Sequence, residues 1–100
     1  MQVTVRSVTQ SPKESVLASA AVELSDGNGV SIQVEDLRVL RNKQGSLWVA
    51  MPSYSIPLGG KGYEYRPTVI LSRVLQREVE DKVLSAYEVW AAQQQAGGVR

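Results

Sequence analysis

The 100-residue sequence contains neither cysteine nor histidine. The absence of cysteine excludes disulfide bonds, thiolate nucleophiles and cysteine-bound zinc. The absence of histidine removes the side chain that most often transfers protons near neutral pH, together with most transition-metal sites. Catalysis would have to rest on carboxylates, hydroxyl groups, lysine or tyrosine alone. We therefore predict a protein that is not an enzyme and that holds no metal and no cofactor.

Phenylalanine is also absent, and only six residues are aromatic. The core must therefore consist mainly of valine, leucine, isoleucine and alanine, and a chain of this length has room for one domain. Self-association would bury additional apolar area. The amino terminus has no signal-peptide pattern, and no apolar run approaches the length of a membrane span. We expect a cytoplasmic protein without a membrane partner.

The net charge of +1 conceals an uneven distribution of charged residues. Residues 37–77 contain seven basic side chains and a single acidic one, Glu64, and so carry a net charge of +6. A basic segment of this kind attracts polyanions such as nucleic acids. The alternative is a solvated basic surface without a partner, and composition alone leaves both interpretations open.

Three segments alternate apolar and polar residues, which is the pattern of half-buried β-strands. They cover residues 2–8, 16–24 and 30–34. The second and third are joined by residues 25–29, whose two glycines allow the positive φ angles of a tight hairpin. The apolar phase then changes at residues 35–36, where we predict a β-bulge or a sharp bend.

The next part of the sequence predicts one buried strand, one loop and one edge strand. Residues 46–51 are apolar at both even and odd positions, which indicates a central strand covered on both faces, by a helix on one side and with a partner subunit as the candidate on the other. Pro52 ends it because proline lacks a backbone donor. Residues 53–62, rich in serine, glycine and proline, predict a mobile loop. Tyr63 and Tyr65 then share one face of a short edge strand.

The apolar period changes to steps of three or four residues near residue 71, which predicts an α-helix of about five or six turns. Ser72 is in position to act as its N-cap. The apolar stripe consists of Leu71, Leu75, Val79, Val83, Tyr87 and Trp90. Residues 1–92 thus predict a single α+β domain, an antiparallel β-sheet of about five strands followed by a C-terminal α-helix packed on the sheet. Residues 93–100 predict a flexible tail.

The segments 36–40 and 45–53 form a distinctive pattern in the middle of the sequence. The first reads Asp-Leu-Arg-Val-Leu, and after a polar turn the second reads Gly-Ser-Leu-Trp-Val-Ala-Met-Pro-Ser. This pattern resembles the hallmark of the stage V sporulation protein G family, also called SpoVG or septation protein. The family pattern begins with Asp-Ile-Arg-Val-Ile, continues with a Gly-Asn turn and ends with Gly-Leu-Phe-Val-Ala-Met-Pro-Ser. Similar residues at 1–4 and 83–87 extend the resemblance over about residues 1–90.

The resemblance implies a SpoVG-like fold and a homodimer formed by sheet pairing, in which each terminal helix is available to nucleic acid. It also implies binding of DNA and, in some members, RNA, in the regulation of genes for septation, sporulation or virulence. The sequence departs from the family pattern at two places that bear on binding. Tyr54 and Ser55 stand where the family has Lys-Arg, and Gln76 stands where the family has an arginine in the helix.

Arg73 and Arg77 are the leading candidates for contact with nucleic acid. They are four residues apart in the first turns of the predicted helix, on its outward side. With Ser72 they form a candidate phosphate site, because free amides and the helix dipole favour an anion there. The alternative is that Arg77 pairs with Asp81 and that Arg73 is solvated. Further candidates are Gln76, Arg66, Lys61, Arg41 and Lys43, the last four on predicted loops or strand ends.

The tyrosines of this region have two interpretations. Tyr54, Tyr63 and Tyr65 have rings that can stack on unpaired bases, as aromatic platforms do for single strands. Tyrosines at alternate positions beside Pro67 more commonly pack along an edge strand. The glycine-rich segment 59–62 lacks the spacing of a Walker phosphate loop, which argues against nucleotide hydrolysis.

Three classes of function remain, and we favour a dimeric nucleic-acid-binding regulator. The alternative is a protein-interaction module of the cell-division or septation machinery, which uses an apolar dimer face and an open sheet edge without binding nucleic acid. The third is an enzyme that uses the carboxylate of Glu64 or Asp36, which requires a concave site.

Overall fold

Four antiparallel strands form the main sheet of the protein, whose computed structural model describes residues 1–97. They are arranged in chain order, as β1 (Gln2–Thr9), β2 (Ala18–Ser25), β3 (Ser31–Arg41) and β4 (Leu47–Ala50). Strands β5 (Ser53–Pro57) and β6 (Tyr63–Pro67) pair with each other in a second sheet, and helix α1 (Arg73–Gly97) follows. The predicted α+β class, with a C-terminal helix packed on an antiparallel sheet, is confirmed, although the strands divide into two sheets.

Two β-bulges adjust the register of the main sheet on either side of Ala21. Val5 and Ser7 of β1 pair with consecutive residues of β2, so Arg6 is the extra residue in the first bulge. In β3 the extra residue lies at 35–36, where Asp36 has a φ of 64°. The bulge predicted at this position is confirmed. It returns the apolar residues that follow it to the same face of the sheet as those before it.

The core lies between helix α1 and one face of the main sheet. Its buried residues are all valine, leucine or alanine: Val3, Ala18, Ala20, Val22, Leu24, Val34, Leu37, Val39, Val49, Val79 and Val83. The predicted helical stripe is confirmed, since Val79 and Val83 are fully buried and Leu75 packs against the same cluster. Tyr87 and Trp90 extend the stripe, with ring centroids 5.9 Å apart.

Strand β4 lies at the edge of the main sheet, so the prediction of a central strand is wrong for the described chain, whereas cover of its second face by a partner subunit stays a prediction. Val49 is buried on the helix side, whereas the Trp48 side of the strand faces away from the helix and 46% of this residue is exposed. Residues at both even and odd positions of β4 are apolar, because the helix covers one face of the strand and Trp48 is exposed on the other. Such a pattern reports side-chain composition and not the number of neighbouring strands.

Residues 53–67 form a β-hairpin, which we call the arm. The prediction of a loop over residues 53–62 is wrong, because Ser53–Pro57 pairs residue for residue with Tyr63–Pro67. The two strands make their main contacts with each other, and most of their side chains are exposed. At the base of the arm, the amide of Thr68 donates a hydrogen bond to the carbonyl of Pro52 at 3.0 Å.

Helix α1 extends further than its apolar stripe. Its last residue is Gly97, so residues 93–97 of the predicted flexible tail are helical, which suits a run of glutamine and alanine. Residues 98–100 of that tail lie outside the described residues. Within residues 1–97, no helix is long and apolar enough to cross a membrane.

Two valines of helix α1 provide a test of this packing, because Val83 is fully buried and Val89 is 61% exposed. We expect Val83→Ala to lower the free energy of unfolding by about 1–2 kcal/mol, since it leaves a small cavity in the core. Val89→Ala should change it by at most about 0.5 kcal/mol, because alanine favours a helix more than valine does. Urea denaturation followed by circular dichroism measures both changes, and equal effects would contradict the assigned helix face.

The turn between β2 and β3 is stabilised by the carboxylate of Asp26. Its Oδ1 accepts hydrogen bonds from the amide of Asn28 at 2.8 Å and from that of Val30 at 3.1 Å. Both hydrogen bonds lower the pKa of the Asp26 carboxyl group, that from Asn28 more than that from Val30. The ionised form is therefore favoured in the folded protein. The associated stability is present above the pKa of the unfolded chain and is lost as the pH falls through the folded pKa.

The lowered pKa of Asp26 predicts how the stability of the variant Asp26→Asn differs from that of the original protein as the pH changes. Its amide oxygen keeps an acceptor in the turn but does not titrate. We expect the thermal stability of the original protein, relative to Asp26→Asn, to fall as the pH is lowered through the acidic range in which Asp26 takes up its proton. Melting curves over that range test this. Asp26→Ala serves as the comparison without an acceptor, and parallel pH profiles for the original protein and Asp26→Asn would contradict the prediction.

Candidate nucleic-acid interface

The start of helix α1 is defined by the residue that precedes it. The Oγ atom of Ser72 accepts a hydrogen bond from the amide of Leu75 at 3.2 Å, and the carbonyl of Ser72 accepts one from the amide of Gln76 at 2.8 Å. The prediction of Ser72 as the N-cap is therefore confirmed. Among the described residues, the amides of Arg73 and Val74 have no acceptor. Two free donors thus lie at the positive end of the helix dipole.

Arg73, Gln76 and Arg77 lie together on the first two turns of helix α1. With Leu71 and Glu80 they line a shallow concavity of about 390 Å³. The structure therefore brings three of the predicted site residues together, directly after Ser72. We call Ser72, Arg73, Gln76 and Arg77 the helix-start site.

Both arginines of the helix-start site are exposed. Within residues 1–97 neither guanidinium group forms an ion pair, so the alternative pairing of Arg77 with Asp81 is not formed. The other two members of the site have internal partners. The Nε2 atom of Gln76 donates to Glu80 at 3.2 Å, and Ser72 caps the helix through its oxygen, which leaves only its hydroxyl hydrogen to donate. The cations and the free amides are therefore the principal groups that can meet an anion.

The other predicted cations lie in two separate places. Arg66 and Lys61 belong to the arm: Arg66 contacts Glu64 at 3.4 Å, and Lys61 is in a short 3₁₀ turn at the tip. Arg41 and Lys43 lie at the turn between β3 and β4, where Nη1 of Arg41 donates to the carbonyl of Gly45 at 3.0 Å. No hydrogen bond or ion pair among residues 1–97 joins these places to the helix-start site.

Sequence reasoning missed a second concavity, at the base of the arm. It has a volume of about 410 Å³, and its charged lining residues are Lys13, Asp36 and Arg38. Nη2 of Arg38 donates to the carbonyl of Met51 and to Oγ of Ser53, each at 3.5 Å, and it forms no ion pair with Asp36. The loop between β1 and β2 brings Lys13 to this place, and no local sequence pattern indicates that approach.

The three tyrosines of the arm are exposed. Tyr54 is 47% exposed, Tyr63 64% and Tyr65 71%. The described chain therefore does not bury these rings, and the interpretation of Tyr63 and Tyr65 as edge-strand packing does not hold within one subunit. Their exposure could have been inferred only from the hairpin, which the composition of residues 53–62 did not predict.

The candidate catalytic carboxylates have different surroundings. Glu64 is paired with Arg66 on the exposed arm, and Asp36 lines the concavity at the base of the arm. In residues 1–97 no group of three acidic side chains is arranged to hold a metal ion. Of the two carboxylates, Asp36 is the one that lines a concave site, which it shares with Lys13 and Arg38.

Comparison of the chain with protein-family models, with curated proteins and with solved structures found no match. The resemblance to the stage V sporulation protein G family therefore stays a prediction from the residues quoted above.

The cap of helix α1 gives a direct test of how the helix-start site is positioned. We expect Ser72→Ala to lower the free energy of unfolding by about 0.5–2 kcal/mol, because the amide of Leu75 loses its acceptor. Ser85→Ala is the matched control, since Ser85 is exposed in the middle of the same helix and alanine is the better helix former there. Chemical denaturation measures both, and a loss of stability in Ser85→Ala as large as that in Ser72→Ala would contradict the assignment.

Proposed function

We propose that this protein is a dimeric nucleic-acid-binding regulator that contacts the phosphates of DNA through its helix-start site. The observation that supports this most directly is the pair of exposed arginines, Arg73 and Arg77, which have no ion-pair partner within residues 1–97. Guanidinium groups form charge-assisted and often bidentate hydrogen bonds with phosphate oxygens. RNA is the second nucleic acid that such a site accepts, because phosphate contacts do not depend on base sequence.

The electrostatics of the helix start favour an anionic partner. Like charges four residues apart on a helix repel each other by roughly 0.2–0.5 kcal/mol, and a bound phosphate reverses the sign of that interaction. The free amides of Arg73 and Val74 add two donors at the positive end of the helix. The site also belongs to the segment 37–77, whose net charge is +6. The arginine pair, the free amides and the basic segment all favour the same class of ligand, an anion such as a phosphate group.

The dimer is proposed at the free edge of β4. Only one side of this strand is paired, with β3, so its other edge can pair with a second copy. Trp48 lies on this strand with 46% of its surface exposed, and a partner subunit would bury it. A two-fold axis at this edge would provide two helix-start sites. A role in septation, sporulation or related gene expression comes from the family resemblance alone.

A second candidate function uses the same open edge. In it, β4 and Trp48 bind a protein of the cell-division or septation machinery, and nucleic acid takes no part. The exposed edge strand is the observation that favours this candidate. A partner protein that stays bound to the full chain after nuclease treatment, together with absence of DNA binding, would favour it over the regulator.

The double variant Arg73→Ala, Arg77→Ala tests the regulator directly. We expect its affinity for duplex DNA to be lower and the slope of log affinity against log salt to fall by about 0.9 for each phosphate that the variant no longer neutralises. Fluorescence anisotropy titrations at several salt concentrations measure both quantities. Alanine favours a helix, so the fold should be retained.

Arg6→Ala is the matched control, because Arg6 is an exposed arginine in the bulge of β1, at the opposite edge of the sheet from β4. We expect its affinity and salt slope to equal those of the original protein. Binding that is insensitive to salt, or an equal loss in the control and in the double variant, would contradict the proposed site.

A further inference from the structure

One face of the arm carries two exposed tyrosines and no branched aliphatic side chain. The register of β5 and β6 pairs Ser55 with Tyr65 and Pro57 with Tyr63, so these residues alternate with those of the opposite face. The complete face consists of Ser53, Ser55, Pro57, Tyr63, Tyr65 and Pro67. We call it the tyrosine face. A surface of rings and hydroxyl groups differs from the Val, Leu and Ala core of this protein.

The arm holds the two tyrosines on a defined backbone. The amide of Leu58 donates to the carbonyl of Gly62 at 2.9 Å, and Gly59 and Gly62 have φ angles of 67° and 91°, which glycine tolerates best. Five residue pairs join β5 to β6. Tyr63 and Tyr65 therefore project from regular strand positions, although they are 64% and 71% exposed.

The positions of Tyr63 and Tyr65 on strand β6 suit a single base. Side chains two residues apart on a strand are separated by about 7 Å along it. Successive stacked bases are about 3.4 Å apart, so a gap of about 7 Å between two rings accepts one flat base with a ring on either side. A base in a duplex is already stacked on both faces and paired, so it cannot enter this gap without leaving the helix.

The charges around the tyrosine face favour nucleic acid over an apolar partner. Lys61 is exposed at the tip of the arm, two residues before Tyr63, where its long side chain can reach a phosphate beside a bound base. Arg66 lies on the opposite face of the arm and contacts Glu64 at 3.4 Å, so it does not add to the charge of the tyrosine face. The arm lies within the basic segment 37–77. Aromatic rings interleaved with cations are the usual composition of single-strand binding surfaces.

We propose that Tyr63 and Tyr65 form a stacking site for an unpaired base, so that the arm binds single-stranded nucleic acid while the helix-start site holds phosphates. This inference rests on the proposed function and adds strands with unpaired bases as the ligand class of the arm. The duplex contacts of the helix-start site do not require the arm.

The test compares one DNA strand in two states. Labelled oligothymidylate is the single strand, and the same strand annealed to oligodeoxyadenylate is the duplex. For the double variant Tyr63→Ala, Tyr65→Ala, we expect the affinity for the single strand to fall at least about 5-fold, because stacking of one base is removed. Affinity for the duplex should change less than about 2-fold, since phosphate contacts are retained. The double variant Tyr63→Phe, Tyr65→Phe keeps both rings and should bind the single strand like the original protein.

Crosslinking adds a readout specific to stacking. A single strand that carries 5-iodouracil should, on irradiation, attach to Tyr63 or Tyr65, and mass spectrometry locates the attachment. Oligouridine in place of oligothymidylate tests whether RNA is accepted. Equal affinity of the alanine variant and the original protein for the single strand would overturn the stacking site while leaving the proposed function intact. Absence of binding to both strand states by the original protein would overturn both proposals.

Sedimentation of the same variants separates base stacking from contact between subunits. We expect the alanine and phenylalanine variants to have the oligomeric state of the original protein. If the alanine variant alone dissociates into smaller species, the tyrosine face is a contact between copies of the chain, and the stacking site is overturned.

Discussion

The packing of helix α1 on one face of the main sheet determines the rest of the arrangement. Val79 and Val83 are fully buried there, in one cluster with Ala18 and Ala20 of β2, whose small side chains allow a close approach of the helix. Because the core lacks phenylalanine, its stability depends on many small contacts and not on a few large rings. One helix can cover only one face. The opposite face is covered by no second helix among the described residues, and the outer edge of β4 has no paired strand there.

The same helical period that makes the core also orients the candidate binding groups. Leu75, Val79 and Val83 form the inward stripe, so side chains at intermediate positions, including Arg73 and Arg77, lie on other sides of the helix. Ser72 fixes where the helix begins and hence which amides stay free. Stability and ligand contact thus depend on the same few turns, and a shift of the helix start by one residue would alter both.

Local signals in the sequence predicted much of this fold. The change of apolar phase located the bulge at residues 35–36, and the helical stripe and its cap were found from spacing and residue type. The edge position of β4 was not predictable in this way, because an apolar strand does not specify its neighbours. The arm was missed because backbone pairing between residues 53–57 and 63–67 does not require hydrophobic side chains. The approach of Lys13 to Arg38 depends on tertiary structure, which no short segment encodes.

The arm enters and leaves the body of the protein at one place, where the amide of Thr68 meets the carbonyl of Pro52. Its strands contribute no side chain to the buried cluster. Outside its turn glycines, substitutions in the arm therefore leave the packing of the core intact, unlike those in β2 or α1. The length and surface chemistry of this hairpin, and with them its ligand preference, can therefore change without any change in the packing of the core.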